Sequence, residues 1–220
     1  MNFKQQGEQA CKQIEKDIDF EGEFSVVGNS QGGLIARYVV EKCKNLKGRV
    51  RNYVSFGAPQ MGVGKVPHCF NGIICDVINY FVNWGIYWRI VQNNIGPAGY
   101  FRNPNDLETY KAYSKFLPDL NNEVNFDQDA YNGFSGLNRL FLGMFAKDTM
   151  IYPGESAWFN ELQADGSILP YNQTSLYLED RIGLKKLIEE DRIVFHKFPG
   201  DHLQFSYADI DEYVLPVLSS

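Results

Sequence analysis

The sequence predicts an α/β protein, a parallel sheet with helices on both faces. Strand-like and helix-like runs alternate at short intervals between 24 and 56. The alternation resumes after a long interruption, with strand-like runs at 137–146 and 193–198. Closely spaced alternation of this kind belongs to parallel strands joined by covering helices. A chain of 220 residues suffices for one core and is short for two. One domain over 1–220 is expected, with an insertion at about 66–135.

The elements follow in order. Residues 7–18 read as a helix, with Ala10, Ile14 and Ile18 on one side. A strand at 24–27 runs into Gly28-Asn29-Ser30-Gln31-Gly32-Gly33, and Leu34, Ile35, Tyr38 and Val39 then repeat at helical spacing over 32–43. Residues 50–56 form a second strand, closed by Gly57-Ala58-Pro59. From Cys69 to about Ile95 apolar residues occur on nearly every side, including Ile73, Val77, Phe81, Trp84 and Trp88. A helix so apolar is either buried or lines an apolar groove. Residues 96–135, with Gly96-Pro97, Asn103-Pro104 and Leu117-Pro118, read as an irregular cap. A last helix is expected at 209–218, ended or kinked by Pro216.

Composition narrows the function. Hydrophobic content of 44% and aromatic content of 15% describe a packed globular chain. A net charge of −6 and a pI near 5.1 argue against nucleic acid or an anionic membrane as the main partner. No apolar run is long enough for a transmembrane segment, and no signal peptide is visible at the amino terminus. The four cysteines lack the spacing of a zinc site or a redox pair. Of the three ways to pair them, the simplest joins Cys11 to Cys43 and Cys69 to Cys75. The chain-entropy contributions would be roughly 3–4 and roughly 2–2.5 kcal/mol. Asn172-Gln173-Thr174 is a glycosylation sequon at Asn172. Cysteines and sequon favour an oxidising, secretory-pathway compartment, against the absence of a visible signal.

Ser30 is the candidate nucleophile. A G-x-S-x-G between strand and helix holds its serine in a strained, exposed turn. Serine needs a base to take its proton, and the base needs an orienting acid. The chain has three histidines. His196 lies inside a strand and His68 beside Cys69, whereas His202 follows the 193–198 strand at its carboxyl end, where catalytic groups of open α/β sheets gather. His202 is the expected base. Asp148, after the 137–146 strand, is the expected acid, because the chain order Ser, acid, His places it between the two. Asp201 adjoins the base and is expected to point away from it; Asp165 and Asp180 sit in polar segments. The backbone N–H of Gln31 is the expected oxyanion donor. No metal or cofactor is required, and no cluster of ligands is apparent.

These residues lie in segments that resemble the palmitoyl-protein thioesterase family of the α/β-hydrolase superfamily. The likeness runs from about Cys11 to the carboxyl end. It includes the Ser30 turn with Arg37, Ser55-Phe56-Gly57-Ala58-Pro59 with Gly62-Val63, and Ile74-Cys75-Asp76. It continues through Gly96-Pro97-Ala98-Gly99-Tyr100, Phe116 to Glu123, Trp158-Phe159, Leu176 to Leu184, and Gly200-Asp201-His202-Leu203. The resemblance implies a triad of Ser30, Asp148 and His202 and the two disulfides above. It further implies hydrolysis of long-chain fatty acyl thioesters on protein cysteines, in lysosomes or an equivalent acidic compartment. The apolar 73–91 segment and the insertion to Phe134 would then form an acyl groove.

The chain also departs from the family. Members carry a signal peptide and several tens of residues ahead of the segment that begins here, with the first strands and a loop supplying a second oxyanion N–H. Those strands are expected to be missing, leaving the 24–27 strand with one bare side. Loss of one oxyanion donor costs roughly 10²–10³ in rate. Activity of this chain is therefore the open expectation. A catalytically silent member, a lipid-binding pseudo-enzyme and an oxygen-ester lipase or esterase are the alternatives.

Overall fold

The computed structural model describes residues 1–17, 22–64 and 85–220. The expected Cys69–Cys75 pair, His68 and the apolar stretch 73–84 lie outside the described residues. The main sheet comprises β1 (Phe24–Asn29), β2 (Val50–Phe56), β3 (Arg139–Phe145) and β6 (Ile193–Phe198), in the order β1-β2-β3-β6. Every pairing in it is parallel, as expected. Between β3 and β6, β4 (Glu161–Leu162) and β5 (Ile168–Leu169) form a small antiparallel pair that the sequence reading did not anticipate.

Alternation along the strands sends side chains into two cores. Tyr53, Leu140 and Leu142 join Leu34, Tyr38, Leu184 and Leu187 on one face. Val54, Phe56, Phe141 and Phe145 join Phe198, Val214 and Val217 on the other. β2 and β3 are buried nearly throughout, which explains their continuous apolar runs. β1 lies at one end of the strand order, and Val27 on it is 52% exposed.

Helix α1 (Phe3–Lys16) starts earlier than its periodicity indicates, because Asn2 and Gln5 form a capping box. It packs on α2 (Gln31–Lys42) so closely that a Cβ on Gly7 would lie 2.5 Å from the Tyr38 ring. The expected disulfide joins Cys11 of α1 to Cys43, just beyond α2, with Cα atoms 5.5 Å apart. The last helical segment spans Tyr207–Asp209, a π-type turn Ile210–Val214 and Leu215–Leu218. Pro216 does not end it; it directly follows the π-type irregularity, in which the Leu215 N–H bonds back to the Ile210 carbonyl, five residues earlier.

The expected irregular cap is instead largely helical. Between β2 and β3 lie α3 (Arg89–Asn94), α4 (Leu107–Tyr113), α5 (Leu117–Leu120) and α6 (Gln128–Ser135), with a 3₁₀ turn at Pro97–Tyr100. The polar and proline residues that read as loop are helix starts. Asp106 accepts from the Thr109 N–H, Asp127 accepts from Asp129 and Ala130, and Pro118 sits in the first turn of α5.

A buried arginine ties this insertion to α2. Arg37 is fully buried and donates to Glu41 at 2.6 Å, Asn121 Oδ1 at 2.8 Å and the Leu120 carbonyl at 3.0 Å. Its guanidinium also lies 5.4 Å from the Phe134 ring centroid and 5.1 Å from that of Phe159. Burial pushes the Glu41 carboxyl up from 4.5 to about 7, against the opposing pull of Arg37 and Lys42 and with a small push from Asp119. The folded protein holds this proton more tightly than the unfolded chain. Glu41 therefore contributes stability that is full below about pH 4.5 and lost as pH rises through about 7. In urea unfolding at about pH 5 and about pH 8, Glu41 is expected to favour the more acidic sample, whereas His196, whose pKa burial lowers, favours the more alkaline one. Glu41→Gln should shift the balance toward the more alkaline sample. An unchanged pH dependence in the variant would remove Glu41 as its source.

Candidate active site

Ser30 stands between β1 and α2 with φ 51° and ψ −130°, a conformation that non-glycine residues rarely hold. Such a residue stores about 1–3 kcal/mol and persists only where its surroundings impose it. Here the Ser30 N–H donates to the Phe56 carbonyl of β2 at 2.7 Å. A Cβ on Gly28 would lie 2.5 Å from the Gly32 oxygen and the Gly33 Cα, and one on Gly33 would lie 2.4 Å from the Ala58 Cβ. At Gly32 the same Cβ would meet nothing within 4 Å. Close packing of strand on helix thus demands Gly28 and Gly33, not the last glycine of the five-residue pattern. The Ser30 side chain makes no capping bond to α2. Gln31 begins that helix, so its N–H is one of the free amides at the positive end of the helix dipole.

The strand register brings the remaining groups to the same end of the sheet. Asn29 lies opposite Phe56, Phe56 opposite Gly143, and Phe145 opposite Phe198. The chain leaving β3 carries Asp148, and the chain leaving β6 carries His202. The Asp148 Oδ1 accepts from the Met150 N–H at 2.9 Å and the Ile151 N–H at 2.8 Å. Its Oδ2 lies 2.7 Å from His202 Nδ1. The Asp148 and His202 side chains are 3% and 10% exposed, so water competes little for this bond. A Cβ on Gly57 would fall 3.1 Å from His202 Cε1, which places the imidazole against the residue after Phe56. Ser30 and His202 therefore both border the Phe56-Gly57 corner.

His196 is elsewhere. It stacks on Tyr213 with centroids 3.9 Å apart and meets Phe198 edge-on at 4.5 Å, and burial lowers its pKa. The Asp201 carboxylate turns to Thr149 and the His202 backbone rather than to the imidazole. Asn172 is exposed in a 3₁₀ turn, Tyr171–Gln173, while the Thr174 hydroxyl is buried on the Tyr171 carbonyl. A groove of about 640 Å³ lies between residues 85–89 and 103–115, lined by Ile86, Tyr87, Trp88 and Tyr113 among others. Neither Ser30 nor His202 is among its lining residues. Among the described residues no cluster of metal-ligating side chains occurs, and no helix is long and apolar enough to cross a membrane. Sequence reasoning missed the Asp201–Thr149 contact, which no local signal announces because its partners lie 52 residues apart.

A parallel sheet flanked by helices, with a strained serine at the strand-to-helix turn, is the architecture of an α/β hydrolase. The family described as Palmitoyl protein thioesterase matches residues 1–202, and the chain belongs to it. Palmitoyl-protein thioesterase 1 of Caenorhabditis elegans is 39% identical over 199 residues, covering 89% of this chain and 66% of that protein. Palmitoyl-protein thioesterase 3 of Dictyostelium discoideum is 30% identical over 217 residues, covering 97% of this chain and 72% of that one. The Lysosomal thioesterase PPT2 homolog of Drosophila melanogaster is 25% identical, covering 89% and 70%. The chain thus spans 66–72% of the length of these three relatives. Among solved structures, bromoperoxidase from Bacillus anthracis aligns with a TM-score of 0.39 at 15% identity, over 97% of this chain and 71% of that one.

Proposed function

We propose that this chain hydrolyses long-chain fatty acyl thioesters, releasing palmitate from protein cysteines through Ser30, His202 and Asp148. The bond between Asp148 and His202, at the corner that Ser30 also borders, carries the reading. With Nδ1 held by Asp148, His202 keeps Nε2 free to act on the serine. His202 takes the Ser30 proton as Oγ attacks the thioester carbonyl, and the Gln31 N–H stabilises the oxyanion. Collapse breaks the C–S bond, and the cysteine sulfur leaves with the proton from His202. Water, deprotonated by His202, then attacks the acyl-serine, frees the fatty acid and returns the proton to Ser30.

The relatives' names support the acyl thioester as substrate and the lysosome as location. The Cys11–Cys43 disulfide and the exposed Asn172 sequon, a proposed glycosylation site, fit the secretory route to it.

The test is thiol release from a palmitoyl-cysteine peptide by the purified chain, beside the matched palmitoyl-serine ester. Preference for the thioester is the expected result. Faster cleavage of the oxygen ester would make the protein an esterase. Acyl binding without release from either would make it a lipid-binding member of the family.

A further inference from the structure

Asp201 adjoins His202, and its carboxylate faces away from the ring. Its contacts are nonetheless specific. Oδ1 accepts from the Thr149 N–H at 2.9 Å, the Thr149 hydroxyl at 3.0 Å and the His202 N–H at 2.6 Å; Oδ2 accepts from the Thr149 hydroxyl at 3.1 Å. Thr149 directly follows Asp148, so one carboxylate spans the loops that carry the acid and the base. Those loops are otherwise joined nearby by the Lys147 N–H on the Gly200 carbonyl at 3.1 Å and by the Asp148–His202 bond itself. The Asp201 side is braced in turn. Its own N–H donates to Gln204 Oε1 at 2.9 Å, and Leu203 turns the chain with φ 60°. Backbone donors from His202 and Thr149 hold the Asp201 carboxyl below the usual carboxylate range, as expected for an anion with converging partners.

We propose that Asp201 is a positioning residue, whose carboxylate clamps Thr149 to the His202 backbone and so holds Asp148 and the His202 imidazole in their bonded geometry. The proposal rests on His202 being the base. The Asp201 side chain does not touch the reacting atoms; it acts through the loop on either side of them. Orientation of this kind is worth a large factor in rate, since a displacement of about 1 Å costs on the order of 10²-fold.

Asp201→Ala removes every side-chain bond of the clamp. Asp201→Asn keeps an acceptor for both N–H groups and offers a donor to the Thr149 hydroxyl. The experiment measures kcat and KM on the palmitoyl-cysteine peptide, with the low-field proton resonance of the His202–Asp148 bond recorded by NMR. The alanine variant is expected to lose kcat by about 10²-fold at unchanged KM, with that resonance broadened away. The asparagine variant is expected to restore both. Should the alanine protein fold poorly, Thr149→Val deletes only the hydroxyl and is expected to give a smaller loss of kcat with a weakened resonance. Wild-type kcat with an intact resonance in Asp201→Ala would overturn the proposal, as would an asparagine variant as impaired as alanine. The resonance needs no turnover, so it decides the clamp even if the protein proves inactive on thioesters, a failure that would belong to the catalytic reading alone.

Discussion

Ser30→Ala is expected to lower kcat for thioester cleavage by roughly 10⁴–10⁶-fold, leaving only what binding and the oxyanion donor provide. The strained turn is imposed by the Phe56 carbonyl and by the packing of Gly28 and Gly33, not by the hydroxyl, which makes no cap to α2. Stability should therefore stay within about 0.5 kcal/mol. Asp148→Asn sharpens the test. Its Oδ1 can still accept from Met150 and Ile151, but an amide NH₂ would face His202 Nδ1 and favour the wrong tautomer. A loss of about 10⁴-fold is expected from that exchange. Thiol-release assays, with covalent labelling by a fluorophosphonate, check both variants. Ser30→Ala protein that turns over at a tenth of the wild-type rate or more, or that still takes the label, would exclude Ser30 as nucleophile.

Arg37→Leu is expected to cost about 3–5 kcal/mol, because it breaks a buried pair and leaves the Glu41 carboxyl, Asn121 Oδ1 and the Leu120 carbonyl without their donor. Against a typical total of about 5–15 kcal/mol, that is enough to bring a domain near its unfolding threshold. The effect should reach the site, since Arg37 joins α2, which starts directly after Ser30, to α5 of the insertion. Urea unfolding measures the loss. The double variant Arg37→Leu/Glu41→Leu should recover part of it by removing the unpartnered buried carboxyl. A single-variant loss below about 1 kcal/mol would show that solvent or neighbouring groups replace the arginine.

Local chemistry made some of this fold legible in advance. β6 coincides with the predicted 193–198, and α2 lies within one residue of its predicted ends, because both have unbroken patterns with clear boundaries. The insertion was not legible. Helices of four to eight residues give too few turns for a periodic signal, and the Asp, Asn and Pro residues that start them read as loop. Nor could the sequence show that Gly33 rather than Gly32 answers to packing. The obstacle at Gly33 is Ala58, on the chain leaving another strand.

By itself the sequence determined the alternating α/β order, the Ser30 turn and the residue types available for acid and base. Periodicity, turn chemistry and chain order act over a few residues or follow directly from connectivity. Only the tertiary structure decided which of those groups touch. The bond between Asp148 and His202 links residues 54 apart, and the bond between Arg37 and Asn121 links residues 84 apart. Both depend on strand register and helix docking, which arise from the summed burial of two cores and leave no mark on any single stretch of chain.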